Sequence, residues 1–65
     1  MLKYRRKKLG ISQSELAKRL DVDRSYISKI ENRKFNNVSI EFIRKLSKEL
    51  KLNPVDVFLF FYFKL

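Results

Sequence analysis

The helix punctuation of this chain limits its fold more than any other feature. Gly10 is the only glycine and Pro54 the only proline, and Ser12 and Ser39 each stand just ahead of an apolar run. Together they cut the chain into five short segments. Gly10 takes the left-handed conformation without Cβ strain, so the first segment is predicted to run from about Leu2 to Leu9. Ser12 and Glu15 have capping-box spacing, which opens a second helix from Gln13 to about Leu20. Leu16 and Leu20, with Ala17 beside them, give that helix an apolar face.

Asp21-Val22-Asp23 is a tight connection, and Asp23 suits the N-cap of a third helix, because a carboxylate there meets free N–H groups and the positive end of the helix dipole. Ile27 and Ile30 are the buried positions of that helix, while Arg24, Ser25, Ser28, Lys29 and Asn32 lie on its other faces. Arg33-Lys34-Phe35-Asn36-Asn37 is a loop, and Ser39 caps a fourth helix with Ile40, Ile43, Leu46 and Leu50 in one stripe. The residue before a proline leaves the helical region, so Asn53 and Pro54 end this helix and open a fifth. No period-two strand pattern stands out before residue 58. The fold class expected is all-α, a compact five-helix domain over residues 1–58, with a hydrophobic C-terminal tail over residues 59–65.

Composition narrows the function. With 65 residues, the folded chain hides only about 60% of the surface that its unfolded form exposes, leaving little room for an enclosed active site. Cysteine and histidine are both absent, which removes disulfides, thiolate or imidazole metal sites, and Cys or His catalysis. The seven acidic residues are scattered and suggest neither a metal cluster nor an acid–base pair. The expectation is no enzyme, no metal and no cofactor. Sixteen Lys and Arg against seven Asp and Glu leave a formal charge of +9, which favours a polyanionic partner, either nucleic acid or an anionic membrane. The N-terminal MLKYRRKK has no apolar signal run, and the chain is read as cytoplasmic.

Two helices joined by a short turn, the second exposing small polar and basic side chains, form the arrangement that enters a major groove. Segments two and three fit it. Residues 12–34, SQSELAKRLDVDRSYISKIENRK, resemble the helix-turn-helix of lambda-repressor/Cro-like (Xre-type) regulators. The resemblance extends from residue 2 to about residue 58. It takes in Leu9-Gly10-Ile11, Glu15-Leu16-Ala17, the turn's Val22, Tyr26 through Asn32, and Asn37 through Glu41. Two positions depart from the family pattern. Asp21 replaces the turn glycine, a geometry Asp tolerates, and Arg33 replaces the glycine after Glu-Asn, which predicts a relaxed backbone or a compensating phosphate contact.

The resemblance implies a DNA-binding transcription regulator, a repressor acting as a homodimer on a palindromic operator. By position, Arg24, Ser25, Ser28 and Lys29 would read bases, and arginine is the residue suited to a bidentate guanine contact. Gln13, Asn32, Arg33 and Lys34 would hold the DNA backbone. Tyr26 would either pack between helices or lie against a phosphate or a thymine methyl. The basic run Lys3, Arg5, Arg6, Lys7 and Lys8 would add phosphate attraction. The resemblance also assigns Arg6 and Glu31 to a structural ion pair.

The tail Phe58-Leu59-Phe60-Phe61-Tyr62-Phe63 is too short to span a bilayer and holds more aromatic surface than a small bundle is expected to bury. It is read as a dimer interface through Phe60, Phe61, Tyr62 and Phe63, with extra core beneath the first helix as the alternative. Two further readings stay open. One is an antitoxin-type module that neutralises a partner protein through this tail and also binds operator DNA; the other is a peripheral membrane binder.

Overall fold

The computed structural model describes residues 1–63, so Lys64 and Leu65, the end of the expected tail, lie outside the described residues. Five helices follow in order: α1 Leu2–Lys8, α2 Gln13–Leu20, α3 Arg24–Glu31, α4 Ile40–Leu50 and α5 Pro54–Tyr62. The all-α expectation holds, and no strand occurs among the described residues.

Three of the helices start on side-chain caps read from the sequence. Ser12 accepts from the Glu15 N–H at 3.0 Å, Ser39 from Phe42 at 3.0 Å, and the Asn53 Oδ1 from Val55 at 2.8 Å. The second half of the capping box is not made. The Glu15 carboxylate instead accepts from Arg19, one turn along α2, at 3.0 Å, where it gains a charged partner. Asp23 occupies the N-cap of α3 with an extended backbone but makes no side-chain cap bond.

The helix ends share one geometry. After each of α1 to α4 the chain enters the left-handed region, at Gly10 (φ 72°), Asp21 (58°), Arg33 (57°) and Lys51 (55°). In each case the next residue's N–H returns to the carbonyl five positions back: Ile11 to Arg6 at 3.1 Å, Val22 to Ala17 at 2.9 Å, Lys34 to Lys29 at 2.7 Å, and Leu52 to Ser47 at 2.9 Å. This is the Schellman closure, and only one of its four left-handed positions is glycine. The backbone after α3 is therefore not relaxed, and Arg33 accepts the left-handed strain.

The core gathers Leu2, Ile11, Leu16, Ala17, Leu20, Ile27, Ile30, Val38, Ile43, Leu46, Leu50, Val57, Phe60 and Phe61. α2 packs against α3 and α4, and α1 and α5 both pack on α4. Arg5 reaches from α1 to the C-terminal end of α4, donating through Nε to the Leu50 carbonyl at 2.9 Å and through Nη2 to that of Lys51 at 3.3 Å. A cation there meets the negative end of the α4 dipole and satisfies carbonyls that the helix leaves open. Arg5 thus serves the fold, whereas the sequence reading had placed it among the phosphate-attracting cations.

The aromatic segment also differs from expectation. α5 runs unbroken through Tyr62, across the expected boundary after residue 58. Helical spacing puts Val57, Phe60 and Phe61 on its inner side, at 0%, 8% and 4% exposure. Phe60 and Phe61 are therefore core residues of this chain. Tyr62 and Phe63 stay exposed, at 49% and 60%.

Candidate nucleic-acid interface

α3 is held by one side and open on the other. Ile27 and Ile30 are buried, which turns Arg24, Ser25 and Lys29 to solvent and leaves Ser28 half-buried. Tyr26 is half-buried as well, with its ring edge-on to Phe42 at 5.4 Å between centroids. Of the two roles weighed for it, this contact supplies the packing one. At the end of α3, the Asn32 Nδ2 donates to the Ser28 carbonyl at 2.9 Å, which fixes the amide over the last turn.

A chain of hydrogen bonds sets the two ends of α3. The Arg6 Nε donates to the Glu31 Oε2 at 2.6 Å, its Nη2 to Oε1 at 3.2 Å, and its Nη1 to the Ile11 carbonyl at 2.8 Å. Both side chains are nearly fully buried, at 7% and 3% exposure. The Gln13 Nε2 donates to the same Glu31 Oε1 at 3.0 Å, and the Gln13 Oε1 accepts from the Arg24 Nη1 at 3.2 Å. Burial alone pushes the Glu31 carboxyl up. Hydrogen bonds from Arg6 and Gln13, with the charges of Arg6 and Lys3, outweigh it and hold the carboxyl below the ordinary carboxylate value. Glu31 is therefore an anion at neutral pH, and Gln13 must turn its N–H side to it. The carbonyl side of Gln13 is then left for Arg24.

The segment after α3 supplies a second element. Tyr26, Lys29, Lys34, Phe35, Asn36 and Asn37 line a shallow concavity beside the exposed face of α3. Lys34, Asn36 and Asn37 are exposed there. Asn36 and Asn37 had been read only as loop formers, yet they stand beside Lys29 and Lys34 as polar donors. Arg33, expected at the DNA backbone, rests against α5. Its guanidinium lies 4.1 Å over the Phe60 ring, and Nη1 donates to the Phe60 carbonyl at 3.2 Å. This stacking ties Arg33 to α5, while the residue itself stays exposed.

The structure brings Gln13, Arg24, Ser25, Ser28, Lys29, Asn32 and Lys34 to α3, its entry and its exit. It buries Arg6, half-buries Arg5 against the end of α4, and leaves Arg33 exposed with its guanidinium resting on Phe60. The link from Gln13 to Arg24 was not legible, because the two residues lie on different helices, |i−j| = 11, and no spacing rule relates them.

The family model described as helix-turn-helix matches residues 2–57. The chain belongs to this lambda-repressor/Cro-like helix-turn-helix family. The family consists of DNA-binding transcription regulators and not of enzymes. The chain is 34% identical over 58 residues to the HTH-type transcriptional regulator SlrR of Bacillus subtilis, covering 89% of this chain and 38% of SlrR. It is 39% identical over 56 residues to the control protein C.MunI of a Mycoplasma species, covering 86% of this chain and 74% of that protein. With the control protein C.BamHI of Bacillus amyloliquefaciens the identity is 46% over 50 residues, covering 77% and 60%. The chain thus spans well under half of SlrR but most of the control proteins. No solved structure matches it. Among the described residues, no acidic group cluster could hold a metal ion, and no helix is long and apolar enough to cross a membrane.

Proposed function

We infer that this helix-turn-helix protein is a sequence-specific transcriptional repressor that binds a palindromic operator as a homodimer, with α3 lying in the major groove and the protein acting in the cytoplasm. The observation that carries the reading is the poise of Arg24. It stands exposed on the first turn of α3, where the side chain is held by Gln13, and Gln13 is held in turn by the buried Glu31. A guanidinium fixed in this way is suited to the bidentate contact with guanine O6 and N7. Ser25, Ser28 and Lys29 complete the base-reading surface. Gln13, Asn32 and Lys34 take the backbone, joined by Asn36 and Asn37 from the adjoining concavity.

The dimer reading moves from the inner to the outer face of α5. Val55, Phe58 and Tyr62 share that face by helical spacing, and Phe63 follows at its end; all four are exposed. Phe58 and Tyr62 are stacked on each other at 4.7 Å. A joined apolar surface of this kind on a small basic domain favours self-association. A two-fold pair would set two recognition helices about 34 Å apart, one turn of DNA.

Selection of bound sequences from random DNA tests this reading. The wild-type chain is expected to recover an inverted repeat, and Arg24→Ala to relax one base position in each half-site. A wild-type selection that yields no preferred sequence, or an Arg24→Ala variant that weakens every sequence alike, would defeat it. Co-purification of a second protein bound to the outer face of α5 would favour the antitoxin-type reading instead.

A further inference from the structure

The outermost turn of α5 makes three separate contacts with the segment that links α3 to α4. Arg33 is stacked on Phe60 at 4.1 Å and bonded to its carbonyl at 3.2 Å. Phe35 meets Phe61 edge-to-face at 4.9 Å. The Tyr62 hydroxyl donates to the Val38 carbonyl at 2.7 Å. These contacts reach the start, middle and end of the segment, and each uses a different chemistry. Between them lie Lys34, Asn36 and Asn37, whose own side chains remain exposed. The segment has no regular structure, and besides these contacts it is fixed only where Lys34 donates to the Lys29 carbonyl and where Val38 enters the core.

The geometry points to Tyr62 as a positioning residue for DNA-backbone binding: with Phe60 and Phe61 it clasps the α3–α4 segment in the conformation in which Lys34, Asn36 and Asn37 meet phosphate. The inference rests on the DNA-binding reading above. It differs from a dimer role for Tyr62 because the hydroxyl faces its own chain, while the ring alone belongs to the outer face of α5. Clasping the segment removes conformational freedom before DNA arrives, so its phosphate contacts form without that ordering cost. Phosphate contacts fix register without reading sequence. The effect of the clasp should therefore fall on all DNA sequences alike.

Tyr62→Phe in the full chain isolates the hydroxyl, since the ring and its stacking on Phe58 are retained. The first measurement needs no DNA. Amide exchange across residues 34–39 is expected to quicken by about two- to tenfold, the range of one net hydrogen bond, while exchange in α2 and α4 stays unchanged. Unchanged exchange in the segment would overturn the clasp whatever the DNA result. The second measurement is affinity for a single half-site, well below the melting temperature, where dimerisation does not enter. Tyr62→Phe is expected to weaken binding by a similar factor at matched and mismatched sites, and to have a smaller effect in a Lys34→Ala background, where only Asn36 and Asn37 remain to be positioned. Full additivity with Lys34→Ala, or a loss seen only on the palindrome and accompanied by a weaker dimer, would assign Tyr62 to another role. Failure of the wild-type chain to bind DNA would refute the functional reading separately, with the exchange result still deciding whether the clasp exists.

Discussion

Arg24 and Glu31 stand at opposite ends of α3 and share one intermediary, the side-chain amide of Gln13, which donates to Glu31 at 3.0 Å and accepts from Arg24 at 3.2 Å. The buried ion pair below therefore orients a solvent-exposed arginine above. Gln13→Ala removes the intermediary and leaves Arg24 free to rotate. Stability is expected to fall by about 1.5 kcal/mol, the worth of one hydrogen bond to a charged group at the lower end of its range. Discrimination at the base that Arg24 reads is expected to fall as well. Thermal melting and a half-site substitution series measure the two effects.

Breaking the pair itself has a larger consequence. Arg6→Ala leaves the Glu31 carboxylate almost fully buried without its main partner. The expected loss is about 3–5 kcal/mol, enough to unfold much of a domain this small, and chemical denaturation measures it directly.

The pH dependence follows from the same carboxyl. Its folded-state pKa lies below the ordinary value of 4.5, so the unfolded chain takes up this proton first as acid is added. The resulting stability is fully present above 4.5 and is lost as pH falls through the folded-state value. Melting temperatures recorded from pH 6 down to pH 3 are expected to drop below about pH 4.5, near the ordinary carboxylate range. Glu31→Gln is expected to melt lower at neutral pH and to show a flatter acid limb.

The left-handed helix closures give a prediction of opposite sign. Lys51 holds φ 55° with an exposed side chain, and Asp21 holds φ 58°. A Cβ in that region costs about 1–2 kcal/mol, and glycine returns some of this as unfolded-chain entropy. Lys51→Gly and Asp21→Gly are each expected to stabilise the fold by about 0.5–1 kcal/mol. Gly10→Ala is expected to destabilise it by a similar amount even though its Cβ would meet no atom within 4 Å, because the strain lies in φ. Denaturant midpoints of the three variants decide the matter.

The outer face of α5 is testable by charge. Phe58→Asp places a carboxylate on an exposed residue of that face and leaves Val57, Phe60 and Phe61 untouched in the core. Sedimentation is expected to show a helical monomer, with binding to a palindrome reduced to that of a half-site.

Much of this fold was legible because local chemistry decided it. Ser12, Ser39 and Asn53 cap the helices they precede, and the apolar stripes of α2, α3 and α4 face inward as their periodicity predicts, except for Ile40 in the first turn of α4, which is 66% exposed. Helix ends were harder. Glycine announces only one of four identical closures, while Arg33 and Lys51 carry no local sign of a left-handed backbone. The aromatic segment misled for a different reason. A near-continuous apolar run such as that of α5 has no polar side from which to infer its orientation. Its orientation follows from what it packs on, α4 and the loop residue Phe35, whose ring meets Phe61 edge-to-face. The candidate site divided in the same way. Exposure of Arg24 and Lys29 follows from the burial of Ile27 and Ile30 on the same helix. The stacking of Arg33 on Phe60 depends on α5, 27 residues along the chain, and no local pattern contained it.

The bonds that Arg5, Arg6 and Arg33 make within their own chain change what the net charge of +9 means in solution. All three still add to the long-range field that draws a polyanion near. Of the three, Arg6 is neutralised by the buried Glu31 carboxylate and displaces no condensed counterion, while Arg5 and Arg33 each have donors engaged by carbonyls of their own chain. The number of ions released on binding is therefore set by the smaller group around α3 and the segment after it, and a logarithmic plot of affinity against salt should be shallower than the chain's basicity suggests.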